Sequence, residues 1–122
     1  MESNDDATYH TTVEDCMKWF RIINRELFQN TLAPVNEIDI RWRRGTHAYY
    51  VCTTDTKDPT YTYTKLCMNK RYKSKKFFVE VLAHELVHHY QFLYEGRIDH
   101  GDSFVDWAET FSKKGLRLVR AY

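Results

Sequence analysis

Apolar residues return along this chain in three different rhythms. From Thr12 onward Val13, Cys16, Met17, Phe20, Ile23 and Leu27 recur at intervals of three and four, the pattern of a helix with one buried face. Thr12 can cap that helix, and Asp15 three residues later gives a capping-box-like start. The rhythm fades at Gln29-Asn30, and Pro34 resists further helix. Residues 1–11 are polar and read as a flexible leader, with residues 12–122 as a single domain.

The period then shortens to two. Ile38, Ile40 and Trp42 alternate with Asp39, Arg41 and Arg43, which predicts a half-buried strand ending near Gly45. His47–Thr54 and Tyr61–Met68 are rich in β-branched and aromatic residues, and Asp58-Pro59 supplies a turn between them. Three strands in a small antiparallel or mixed sheet are expected.

The third rhythm is barely periodic. Ser74 can cap a helix over Lys75–Glu95 that stops at Gly96, and its middle, FFVEVLAHELVHHYQFLY, is apolar almost all the way round. Such a helix is normally buried at a domain centre. A last helix is expected from Asp102 to about Lys114, with Phe104, Trp107, Ala108 and Phe111 on one face. The order α-β-β-β-α-α predicts an α+β fold.

Composition narrows the function. At 122 residues the chain is long enough for one real core. Eighteen Lys+Arg against seventeen Asp+Glu leave a formal charge of +1, so global basicity does not indicate a nucleic-acid binder. No apolar run approaches the ~20 residues of a membrane span, and no signal core opens the chain. Cys16, Cys52 and Cys67 are odd in number and form no CxxC pair, so they read as reduced thiols in an intracellular compartment, cytoplasm or nucleus.

Chemistry concentrates on the central helix, where His84-Glu85-Leu86-Val87-His88 matches HExxH. Residues four apart share a helical face, so both imidazoles can reach one ion. Zinc accepts neutral imidazole nitrogens and, at a catalytic site, keeps one position open for water. Glu85 need not bind the metal and can take a proton from water activated there. A shuffled chain of this composition matches the motif roughly two times in a hundred, but an unpaired imidazole in an apolar helix is costly and a metal removes that cost. The third ligand is sought among Asp99, His100, Asp102, Asp106 and Glu109. His100 fits best because it follows the chain reversal at Gly96, and Asp99 or Asp102 are the carboxylate alternatives. His89 lies about 100° round the helix from His88 and reads as structural. His10 and His47 have no motif context.

With these residues in view the chain resembles the SprT-like zinc metallopeptidase family (the Spartan-type protease core). His84-Glu85-Leu86-Val87-His88, eleven further residues and then His100-Gly101-Asp102-Ser103-Phe104 are similar to its HExxH and HGxxF segments. Trp19-Phe20, Asn24, Leu27-Phe28, Leu32 and Pro34 resemble its leading helix and the following turn, and Trp42-Arg43 and Tyr49-Tyr50 fall where its first strands would be. The likeness runs from about Val13 to Phe111. It implies zinc held by His84, His88 and His100, with Glu85 as general base in an endopeptidase acting on a protein substrate. It also implies a zincin-like core: an N-terminal helix, a small three-stranded sheet, the HExxH helix and a closing C-terminal helix. The cysteine pairs of the zinc ribbon carried by many bacterial relatives are missing, and a stripped-down core of this size would suit a phage or viral gene product.

Two further expectations stand beside this one. Lys70, Arg71, Lys73, Lys75 and Lys76, with Arg41, Arg43 and Arg44 and the rings of Tyr61, Tyr63 and Tyr72 between, could form a basic, aromatic surface for single- or double-stranded DNA. A solvated loop is the plainer reading of the same run. Alternatively, the zinc belongs to a structural or nucleic-acid-binding module without protease activity, in which case a fourth protein ligand would close the site.

Overall fold

A computed structural model describes residues 8–120. It is α+β, with three helices, a three-stranded sheet and a two-stranded ribbon. Helix α1 spans Val13–Phe28, and Thr12 Oγ1 accepts from the Asp15 amide at 3.1 Å, so the cap legible in the sequence is formed. Gln29 and Asn30 end the helix in left-handed conformations, φ 55° and 61°. Both are residue types that tolerate that region better than branched ones.

Strands β2 (Glu37–Arg41), β3 (Ala48–Thr54) and β4 (Thr62–Asn69) form a mixed sheet in the order β2-β4-β3. β2 runs parallel to β4, with Ile38 opposite Leu66, while β3 pairs antiparallel with β4, with Tyr50 also opposite Leu66. Ile38 and Ile40 pack against the core, but the alternation expected to carry on to Trp42 fails. β2 ends at Arg41, and Trp42 is 57% exposed with the Arg71 guanidinium 5.1 Å from its ring centre.

The expected leader needs a correction at its inner end. Tyr9–His10 form a strand, β1, antiparallel to β5 (Arg71–Tyr72), and the Thr11 amide donates to the Lys70 carbonyl at 2.8 Å. The Tyr9 ring stacks on Phe78, centroids 4.8 Å apart, so one aromatic among polar neighbours ties the segment down. Residues 1–7 of that leader lie outside the described residues.

Helix α2 (Lys75–Glu95) is capped by Ser74 Oγ, which accepts from the Phe77 amide at 3.1 Å. It ends at Gly96 in the left-handed region, φ 72°, where the chain reverses. Its middle is buried against the sheet, α1 and helix α3 (Asp102–Lys113). Phe78, Leu82, Leu86, Phe104 and Phe111 are in the core, each contributing about 1.5–3 kcal/mol of burial. Among the described residues no helix is long and apolar enough to cross a membrane. Cys16 and Cys67 are buried and Cys52 half-buried, all three as free thiols, and burial pushes the Cys16 thiol up to about 12.

Candidate metal centre

Burial of α2 puts His84 and His88 inside the protein, one helical turn apart, with ring centres 5.0 Å from each other. The reversal after Gly96 brings back exposed His100 just before α3, its ring centre 4.8 Å from that of His88 and 5.4 Å from that of His84. One nitrogen from each ring falls within 4.8 Å of the other two, and these three histidines could hold a metal ion. Among the described residues no Cys, Asp or Glu joins that group. Asp99 instead accepts from the Gly101 amide and pairs with Arg97, and Asp102, Asp106 and Glu109 are exposed on α3.

Phe104, one turn into α3, closes the site from below. Its ring stacks on His88 (centroids 5.3 Å, 20° between planes) and meets His84 and His100 edge-on at 5.0 Å and 4.7 Å. The outer nitrogens of the two buried rings are occupied. His84 Nδ1 lies 2.9 Å from the Val119 carbonyl, and His88 Nδ1 lies 2.9 Å from Gln91 Oε1. Both partners only accept, so each ring carries its proton on Nδ1 and turns the lone pair of Nε2 inward.

That donor chemistry suits a divalent ion. Tetrahedral zinc at about 2.0–2.1 Å from imidazole nitrogens spaces them about 3.3 Å apart, and His88 and His100 Nε2 already stand 3.1 Å apart. Two such nitrogens face to face need a proton or a cation between them. The two buried rings are held neutral: burial, followed by the nearby His88, holds His84 down to about 3, and burial likewise lowers His88. Glu85, 4% exposed, has its carboxylate 3.8 Å from His84 Nε2, and burial pushes it up to about 8.

His89 turns away from this group. Its Nε2 donates to the Ala33 carbonyl at 2.7 Å, and Nδ1 accepts from the Tyr50 hydroxyl at 2.5 Å, fastening α2 to the loop before β2 and to β3. His10 lies on β1, and His47 packs edge-on against Phe77. Three contributors escaped the reading of the sequence. Gln91 and Glu80 carried a signal, as polar residues at i+3 and i−4 from the two helix histidines in an otherwise apolar stretch. Glu80 Oε2 accepts from the Arg117 amide at 2.9 Å, holding the C-terminal segment that presents Val119. Val119 itself, 35 residues from His84, offered none.

The basic run is exposed at Lys70, Arg71, Lys73, Lys75 and Lys76. Lys73 and Lys75 lie over the rings of Phe77 and Trp19 at 4.6 Å and 5.0 Å. In the second run Arg41 and Arg43 both pair with Asp39, at 2.8 Å and 3.5 Å, and Trp42 and Arg43 line one pocket with Arg71 and Lys73. The three tyrosines differ, with Tyr61 exposed. Tyr72 is buried, donating to the His47 carbonyl at 2.6 Å, and Tyr63 is bound to Glu37.

Compared with models of known families, residues 16–120 match the SprT-like family. No curated protein matches the chain.

Proposed function

From a chain that belongs to the SprT-like family, we infer a zinc-dependent endopeptidase whose metal is held by His84, His88 and His100. The observation that carries this reading is the convergence of three imidazoles on one point, with a buried carboxyl group beside them and no fourth protein ligand among the described residues. A closed structural site would need that fourth ligand. On this reading residues from Thr12 onward form a zincin-like peptidase domain.

Zinc, when bound, supplies Lewis acidity toward water and toward a carbonyl oxygen. The chain's own residues do the rest. His84 and His88 hold their protons on Nδ1, against Val119 and Gln91, so that both Nε2 atoms stay available as ligands. Phe104 excludes water from one side of the rings and fixes their tilt. Glu85, close to His84 Nε2 and free of hydrogen bonds from other described side chains, accepts the proton of the attacking water and delivers it to the departing amine. A carboxyl group held near neutral pH suits both halves of that transfer.

Proteins associated with nucleic acid are the proposed substrates, with DNA met by Lys70, Arg71, Lys73, Lys75 and Lys76. Their exposure and the rings beneath Lys73 and Lys75 support this, since a cation over an aromatic face suits a strand's phosphates and bases together. The deciding experiment is cleavage of a protein substrate by zinc-loaded wild type and Glu85→Gln, with and without single-stranded DNA. Glu85→Gln should bind zinc as wild type does and cleave about 10²–10⁴-fold more slowly or not at all. Equal turnover by the two proteins would remove Glu85 as the base.

A further inference from the structure

Gln91 follows His88 by three residues on the same face of α2 and is fully buried, 0% exposed. A buried carboxamide must satisfy an acceptor and two donors, and Gln91 satisfies all of them around the histidines. Its Oε1 accepts from His88 Nδ1 at 2.9 Å and from the Asp99 backbone amide at 3.3 Å. Its Nε2 donates to Ser103 Oγ at 3.1 Å and to Asp99 Oδ1 at 3.4 Å. One side chain thus touches the helix bearing His88, the residue immediately before His100 and the second residue of α3. The Asp99 amide can only donate, which identifies the atom facing His88 as the carbonyl oxygen. Ser103 in turn donates to Glu95 Oε1 at 2.7 Å, closing the chain of bonds back onto α2.

We propose that Gln91 is a positioning residue that couples two of the three imidazoles. It holds His88 in the form protonated on Nδ1, and it pins the 96–101 loop so that His100 Nε2 faces His88 Nε2. The purpose of this coupling rests on the metal-centre reading above, but the geometry does not. His84 lies outside Gln91's control, because its Nδ1 is engaged by Val119, and it serves as an internal reference. Leucine at 91 would fill similar space and leave both His88 and Asp99 unheld. Glutamate would still accept from His88 but would lose both donated bonds and face the Asp99 carboxylate.

Nitrogen-15 NMR of the imidazoles in the metal-free chain reads each tautomer directly, and competition with a chelator reads zinc affinity. In wild type, His84 and His88 should both carry the proton on Nδ1. Gln91→Leu should show mixed tautomers at His88 with His84 unchanged, and should bind zinc about 10–100-fold more weakly. Should Gln91→Leu fail to fold, Gln91→Glu decides the matter: Nδ1–H retained at His88, zinc affinity about tenfold weaker. A wild-type His88 protonated on Nε2, or a folded Gln91→Leu with the wild-type tautomer and zinc affinity, would overturn the assignment. A wild-type chain with the expected tautomers that binds no zinc would overturn the metal-centre reading and leave Gln91's role standing.

Discussion

Helix α1 keeps most of its charged side chains in water: Glu14, Lys18, Arg21 and Arg25 are exposed while Cys16, Phe20, Ile23, Leu27 and Phe28 turn inward. Helix α2, packed against it, buries Glu80, His84, Glu85, His88, His89 and Gln91 along with its apolar residues. Burying a polar group without a partner costs about 1–3 kcal/mol, more for a charged one. Five of these six side chains meet that cost with a hydrogen bond. Glu85 alone has none among the described residues, and it stands next to His84. On the function proposed above, that carboxyl group is where stability yields to chemistry, and the contrast is open to direct attack.

The largest effect should come from Glu85→Gln, with cleavage reduced about 10²–10⁴-fold while the thermal midpoint of the metal-free protein does not fall. A lower midpoint, measured by calorimetry, would return Glu85 to a structural role.

The next effect is pH. Burial keeps His84, His88 and His89 neutral in the folded metal-free chain, so below about pH 6.5 the unfolded chain binds more protons than the folded one. Stability in a chelator should therefore fall as pH drops from about 6.5 toward 3, by up to about 1.4 kcal/mol per pH unit for each ring. Glu85 acts with opposite sign, since its raised value stabilises the folded chain at low pH and that contribution fades from about 4.5 to about 8. The acid limb should be steepest below about pH 4.5. Urea denaturation across this range measures it, and a flat profile would erase the distinction drawn for α2.

On the α1 side, Ile23→Ala should cost about 2–5 kcal/mol in urea denaturation and leave zinc affinity unchanged, because Ile23 packs in the core from α1, which carries none of the three histidines. The smallest effect is that of Thr12→Ala. Losing the cap on the Asp15 amide should lower stability by about 1 kcal/mol, again without altering zinc affinity.

Much of this protein was legible residue by residue. Thr12 and Ser74 act as the caps that their spacing suggested, α2 ends at Gly96, and His84, His88 and His100 meet. The misreadings share one cause. Trp42 continued an alternation on paper but lies beyond the last β2 residue, under Arg71, and Tyr72 looked like a surface ring between lysines but is buried beneath His47. Tyr9 sat in a polar leader yet found Phe78. Each was decided by a partner far along the chain.

The sequence by itself determined the helices α1, α2 and α3, the rough positions of the three strands of the mixed sheet and the pair of imidazoles one turn apart, because caps and side-chain periodicity act over about four residues. Only the tertiary structure decided that β2 would lie parallel to β4, and that the Val119 carbonyl would orient His84. It also decided that Gln91 would join His88 to the loop carrying His100. Those pairings depend on where the chain returns after a crossover or a reversal, and no local pattern encodes a meeting that packing brings about.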